Sequence, residues 1–147
     1  MRRAALVLAL AALVMADAAF AQGMILSIEI NRSNPTPRRP TAAINTLQDF
    51  MAALAACWEP PSIDERRGPV DLTFQVSFKR SGELFGKPRV VRFSREVSQA
   101  ERERFNLAVV EAVDRCSPMP FTDSMGGAIA GRVLRIRFID SRKKVRI

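Results

Sequence analysis

Apolar and polar residues alternate strictly between Val70 and Phe78. The two sets separate cleanly: Val70, Leu72, Phe74, Val76 and Phe78 are apolar, and Asp71, Thr73, Gln75 and Ser77 are polar. Successive side chains of a β-strand point to opposite faces of the sheet. The alternation therefore predicts a half-buried strand whose second face meets water.

A second strand is predicted directly after the first. Lys79 to Glu83 contains Gly82 and is typical of a hairpin turn, so the chain is expected to return as a strand from about Leu84 to Phe93. Gly86 and Pro88 interrupt the first half of that segment. Glycine and proline inside a strand indicate a sheet edge or a bulge.

The last predicted strand runs from Arg132 to Asp140. Its apolar and basic residues alternate, with Leu134, Ile136 and Phe138 expected on the core face and Arg135 and Arg137 on the other face. This face of the sheet is therefore expected to be basic.

Helical spacing begins after Thr41, which can cap a helix running to about Trp58. Its apolar residues recur at three and four positions: Ile44, Leu47, Met51, Leu54 and Trp58. Pro60 and Pro61 then stop the helix, because neither offers a backbone N–H. The segment Cys57-Trp58-Glu59-Pro60-Pro61 thus predicts a sharp corner in the chain.

A second helix is predicted after Ser98. Ser98 and Glu101 form a capping-box pattern, in which each side chain can accept an N–H of the other residue. The apolar stripe that follows consists of Phe105, Ala108, Val109, Ala112, Val113 and Cys116. Pro118 and Pro120 end this helix.

Three segments carry weaker patterns. Phe121 to Gly131 contains three glycines and is predicted to be a mobile loop. Gly23 to Ile30 is short and apolar, and it fits either a strand or the start of a mature tail. Asn31 to Pro40 contains three prolines and predicts an extended linker.

The first 21 residues have the features of a signal peptide. Arg2 and Arg3 precede an apolar run from Ala4 to Ala16, and Ala19-Phe20-Ala21 is a small-x-small cleavage pattern. We therefore expect cleavage after Ala21 and a periplasmic, secreted protein. An uncleaved membrane anchor is the alternative, although the apolar run is too short to span a bilayer.

The chain has two cysteines, Cys57 and Cys116. In an exported protein two cysteines favour one disulfide bond, because the compartment is oxidising. Two buried free thiols are the alternative.

The order of predicted elements is helix, strand, strand, helix, strand. Since each helix ends at a cysteine, a disulfide would hold the two helices side by side, with their apolar stripes on one face of a three-stranded antiparallel sheet. The expected fold is a two-layer α+β domain. It spans residues 41–140, after a signal peptide at 1–21 and an extended segment at 22–40, and before a basic tail at 141–147.

The net charge of +8 is concentrated near the C-terminus. The tail contains Arg142, Lys143, Lys144 and Arg146, which are candidates for binding an anionic surface such as outer-membrane lipid headgroups. Nucleic acid is disfavoured as a partner because the protein is expected to be exported.

The residue composition disfavours catalysis. The chain has no histidine, which removes the Ser-His-Asp and Cys-His arrangements and the commonest metal ligand. The acidic pairs Asp64-Glu65 and Glu101 with Glu103 lie among arginines, as expected for a solvated face. No enzyme activity, cofactor, metal site or transmembrane span after signal cleavage is expected.

Taken in order, the features of residues 41–140 resemble the C-terminal periplasmic domain of TolA and its TonB-like relatives. The resemblance is carried by the order of elements and by three segments, Cys57-Trp58-Glu59-Pro60-Pro61, Gly82-Glu83-Leu84-Phe85-Gly86-Lys87-Pro88 and Cys116-Ser117-Pro118-Met119-Pro120. It implies a protein-binding module of the cell envelope, in a Tol-Pal-like context. TolA-like domains bind lipoproteins, phage coat proteins and colicins, and TonB-like domains pair with a strand of an outer-membrane receptor.

The chain departs from that family in three ways. It has a signal peptide in place of a transmembrane anchor, a spacer of about ten residues from Asn31 to Pro40, and no Tyr or Trp in Phe121 to Gly131. We therefore expect the binding fold without the energy-transducing role.

By this resemblance the strand from Arg132 to Asp140 is a sheet edge that accepts an extended segment of a periplasmic or outer-membrane protein. The candidate partner-binding residues are Arg132, Arg135, Ile136, Arg137 and Phe138. The alternative is that the arginines only keep the edge soluble.

Overall fold

The computed structural model describes residues 25–30, 36–63 and 67–140. The elements along the chain are β1 (Ile25–Ile30), α1 (Leu47–Cys57), β2 (Leu72–Val76), β3 (Arg89–Phe93), α2 (Gln99–Cys116), α3 (Asp123–Ile129) and β4 (Leu134–Asp140). The predicted signal peptide, residues 1–21, and the basic tail, residues 141–147, lie outside the described residues.

The four strands form one sheet in the order β1-β4-β2-β3. β2 pairs antiparallel with both β3 and β4, which confirms the predicted three-stranded antiparallel unit and the α+β class. β1 adds a fourth strand, parallel to β4. Of the two structures left open for Gly23 to Ile30, a strand is observed at Ile25–Ile30.

One face of the sheet is buried by α1 and α2. Alternate residues of β2 and β4 are buried, as the alternation predicted. The Phe138 ring lies 4.4 Å from the Trp58 ring and 5.0 Å from the Phe74 ring, measured between centroids. Trp58 is therefore a core residue, and the layer of helices is fixed to the sheet by aromatic contacts.

The disulfide between Cys57 and Cys116 joins the C-terminal ends of α1 and α2, with the two Cα atoms 5.8 Å apart. Both cysteines are fully buried. The predicted pairing is confirmed, and it holds the two helices side by side over the sheet.

The first helix begins later than predicted. Its N-cap is Thr46, which accepts a hydrogen bond from the backbone N–H of Asp49, and the Asp49 carboxylate accepts one from Thr46 in return. The prediction of a cap at Thr41 is wrong because Ile44 forms a bridge with Phe121, and its N–H donates to Pro120. These backbone contacts keep the segment before Thr46 extended.

Replacing the cap tests this boundary. We expect Thr46→Ala to lower the free energy of unfolding by about 1 kcal/mol, because one N–H of the first turn loses its acceptor. Thr46→Ser keeps the oxygen and serves as the matched control, and Thr41→Ala should change stability by less than about 0.5 kcal/mol. Urea unfolding followed by circular dichroism measures all three; an equal loss at both threonines would contradict the assignment.

The prediction of a mobile loop from Phe121 to Gly131 is wrong. Residues Asp123–Ile129 form α3, capped by Thr122, whose hydroxyl accepts the Met125 N–H. The prediction failed because Gly126 lies inside the helix in a close contact and does not mark a loop. A Cβ at Gly126 would overlap the Arg80 carbonyl oxygen, so only glycine lets α3 approach that turn.

The predicted second strand is shorter than expected. The ladder covers Arg89–Phe93 only, and the preceding residues contribute one isolated bridge, Leu84 with Phe78. The pairing of β2 with β3 shifts register between Thr73 and Phe74, as in a β-bulge. The predicted edge is confirmed, because β3 is the last strand of the described sheet, whereas the bulge lies at Val91 and not at Gly86 or Pro88.

Candidate partner-binding surface

The face of the sheet opposite the helices is open and carries arginines. In β4 the residues between the buried positions are exposed, and Arg135 and Arg137 are among them. Arg89 and Arg92 of β3 are exposed as well. Period-two alternation places Arg135 and Arg137 outward because their neighbours fill the core. Arg89 and Arg92 are three residues apart, and the register shift at Val91 interrupts the alternation between them.

The open face is concave and encloses a volume of about 580 Å³. Its lining residues come from β2, β3, β4 and the residues next to them: Asp71, Thr73, Gln75, Val91, Arg92, Phe93, Ser94, Arg135 and Arg137. Three of these nine side chains are basic and one is acidic. We call these nine residues the arginine face.

The acidic residue of the arginine face is already engaged. Asp71 accepts hydrogen bonds from Arg137 Nη2 at 2.8 Å and from the backbone N–H of Asp140 at 3.1 Å. Arg135 and Arg92, by contrast, have no ion-pair partner among the described side chains. Positive charge at these two positions is therefore available to a ligand.

The predicted partner-binding residues do not share one surface. Arg132, Arg135 and Arg137 are exposed, whereas Ile136 and Phe138 are 0% and 2% exposed. The interpretation of the last two as contact residues is wrong, because their side chains fill the core on the opposite face. Only the backbone of Ile136 and Phe138 can meet another strand.

The interpretation of the last strand as an edge is also wrong. β4 has strand neighbours on both sides, β2 and β1. The parallel register with β1 covers six residues, from Ile25 beside Arg135 to Ile30 beside Asp140. The position expected to accept a partner segment thus holds a strand of the same chain.

On the other side, β3 is the last strand of the described sheet. Val91 lies at the register shift and is 44% exposed, and Pro88 stands directly before the strand. Bulges and prolines protect an edge against further pairing. Gly86 and Pro88 predicted this edge, but no comparable signal predicted that β1 pairs at the opposite side.

The remaining candidate chemistry is limited. In the residues that the structure describes, no cluster of three or more metal-ligating side chains occurs. Within the same ranges, no helix combines the length and apolarity needed to cross a bilayer. The candidates Arg142, Lys143, Lys144 and Arg146 lie outside the described residues.

A family model described as "Uncharacterised conserved protein UCP034077" matches residues 40–142. The chain belongs to this family. The match begins after β1 and contains α1, β2, β3, α2, α3 and β4. The family unit is therefore the three-stranded antiparallel domain with its helices. No curated protein and no solved structure matches the chain.

Proposed function

We propose that this protein is an exported, non-enzymatic binding module of the periplasm that takes an extended segment of a cell-envelope protein as an added strand beside β4. One observation carries the proposal. β4 pairs in parallel with β1, and β1 lies outside the unit that the family model matches. The β4 side of the family unit is thus able to accept an added strand.

The chemistry of a strand edge supports this function. A partner segment beside β4 would use backbone N–H and C=O groups for affinity and its alternate side chains for specificity. Arg135 and Arg137 of β4 would flank it on the open face. The bulged, proline-preceded β3 is the less suitable edge.

Export is supported by two independent features. The N-terminal residues have the charged, apolar and small-residue regions of a signal peptide. The disulfide between Cys57 and Cys116 suits an oxidising compartment. The order α1-β2-β3-α2-β4 is the order on which the resemblance to TolA and TonB domains was based, and it supports a Tol-Pal-like envelope role.

Capture from periplasmic and outer-membrane extracts tests the proposal, with the mature chain as bait at moderate salt. We expect a retained protein whose binding raises amide hydrogen-exchange protection in β4. Arg135→Glu should weaken binding about tenfold, because charge at a partner site changes affinity by this order. Arg104→Glu, an exposed arginine of α2 on the opposite layer, is the matched control.

Hydrogen-exchange protection confined to the helical layer, or equal binding by Arg135→Glu and Arg104→Glu, would contradict strand addition beside β4.

The second candidate function, binding of anionic headgroups, rests on the basic tail. It predicts that vesicle binding is lost as salt rises and when residues 141–147 are removed. Strand addition should survive that truncation.

A further inference from the structure

We infer that β1 is the chain's own occupant of the β4 edge, and that a partner segment with acidic residues beside Arg135 and Arg137 displaces it. This inference rests on the proposed function and specifies its ligand. The edge is then closed in the free protein and opens only to a segment that pairs better than β1 does.

The position of β1 in the chain favours pairing of β1 with β4 of the same molecule. β1 ends at Ile30, and the chain is held to the domain at Arg38, whose N–H donates to Ala56 and whose neighbour Arg39 donates to Ser117. Seven residues join the two points. A short tether gives a high effective concentration, so β1 competes strongly with any free segment.

β1 places no charged residue opposite either arginine of β4. Among the described side chains, Arg135 has no ion-pair partner and Arg137 is paired only with Asp71, directly before β2. Ile25 is aligned with Arg135, and Ser27 is aligned with Arg137. Neither residue carries a charge. An acidic residue at each of these positions would form an opposite-charge cross-strand pair, and two such pairs favour a segment by about twofold to about thirtyfold.

Two further aligned positions define the apolar half of the ligand. Leu26 is aligned with Ile136, and Ile28 with Phe138. Both β4 residues belong to the core. A segment in the same register therefore needs apolar residues there, because successive residues alternate between the two faces. The expected ligand is an extended protein segment in which acidic and apolar residues alternate.

Three synthetic peptides in the register of β1 test the inference: Glu-Leu-Glu-Ile-Glu-Ile, Lys-Leu-Lys-Ile-Glu-Ile and the natural Ile-Leu-Ser-Ile-Glu-Ile. Binding to the mature chain is followed by fluorescence anisotropy, and release of β1 by amide hydrogen exchange. We expect the acidic peptide to bind tightest, at least tenfold tighter than the lysine peptide, with loss of protection in β1. The variant Arg135→Glu should abolish this preference, because one attractive pair becomes repulsive, and Arg104→Glu should leave it unchanged.

A change in β1 itself gives a complementary test. Ile25→Glu adds the missing charge to the chain's own strand, so it should weaken binding of the acidic peptide several-fold. Ile28→Pro places a proline, which disfavours strand pairing, in the middle of β1 and should strengthen binding of all peptides. Circular dichroism confirms that each variant keeps its fold.

The outcomes separate this inference from the proposed function. If Ile28→Pro binds all three peptides equally, strand addition holds and the role of acidic residues is wrong. If the acidic peptide binds while β1 stays protected, β1 is not the displaced occupant. If no peptide binds even to Ile28→Pro, the β4 edge is not a binding site and both proposals fail.

Discussion

Removing the disulfide should lower the free energy of unfolding by about 4 kcal/mol. The bond between Cys57 and Cys116 closes a loop with a sequence separation of 59 residues. In the chain-entropy account, a cross-link of this span removes conformational freedom from the unfolded state by that amount. Replacement of both cysteines by alanine avoids placing a serine hydroxyl in an apolar site, and urea unfolding in oxidising buffer measures the loss.

Reduction of the natural protein provides the matched control for this variant. With a strong thiol reductant, the natural chain and the double alanine variant should unfold at midpoints that differ only by the small effect of the side-chain change. Without reductant, the natural chain should be far more stable. Equal stability of the two proteins in oxidising buffer would show that packing alone holds α1 and α2 together.

The strands of the family unit could be predicted because their sequences obey a single periodicity. Leu72, Phe74, Ile136 and Phe138 alternate with polar residues, and the buried face of the sheet follows directly. The same rule placed Arg135 and Arg137 on the open face. The local pattern was enough to predict these strands because one face of each strand is buried and the other is exposed to solvent.

Features that depend on distant contacts could not be predicted. Thr41 and Thr46 are equally able to cap a helix, and the bridge between Ile44 and Phe121 decides which one does. Glycine in a loop and glycine in a close contact look alike in sequence, as Gly126 against Arg80 illustrates. Helix α3 was missed for this reason.

The candidate site could be predicted only in part, because some of its properties are local and others depend on distant contacts. Exposure of Arg135 and Arg137 is a local property of an alternating strand. Whether β4 lies at an edge depends on where β1 docks, which the short segment Ile25–Ile30 does not specify by itself. The pairing of β1 with β4 therefore changed the site from an open edge to an edge already occupied by the chain.

The second large loss of stability is expected on replacing Glu101, a buried carboxylate at the start of α2. Its side chain is 4% exposed and pairs with Arg67 Nη1 at 2.7 Å and Arg95 Nη2 at 3.1 Å. It also accepts the backbone N–H of Ser98. We expect Glu101→Ala to cost about 3 kcal/mol, because the cap is lost and two arginines lose their partner. The estimate is below that for a fully buried pair because Arg67 is partly exposed to solvent.

The pKa of Glu101 gives this prediction a pH signature. The hydrogen bond from the Ser98 backbone lowers the pKa of this carboxyl, burial opposes the shift, and Arg95 and Arg67 lower it further. A carboxyl whose pKa is lower in the folded state stabilises the fold above the unfolded-state pKa, and this stabilisation is lost as pH falls through the folded-state pKa. The stability difference between the natural chain and Glu101→Gln should therefore shrink on acidification from about pH 7 to about pH 3.

Matched variants on α2 separate the charge of Glu101 from its capping role. Glu101→Gln keeps an oxygen for the Ser98 N–H and should cost about 2 kcal/mol at neutral pH, less than the alanine variant. Glu103→Ala removes an exposed glutamate of the same helix, whose carboxylate accepts only from the nearby Gln99 among the described residues, and should cost less than about 0.5 kcal/mol. A Glu101→Gln variant as stable as the natural chain would mean that the two arginines contribute nothing through charge, and that the capping hydrogen bond alone explains why a carboxylate is buried there.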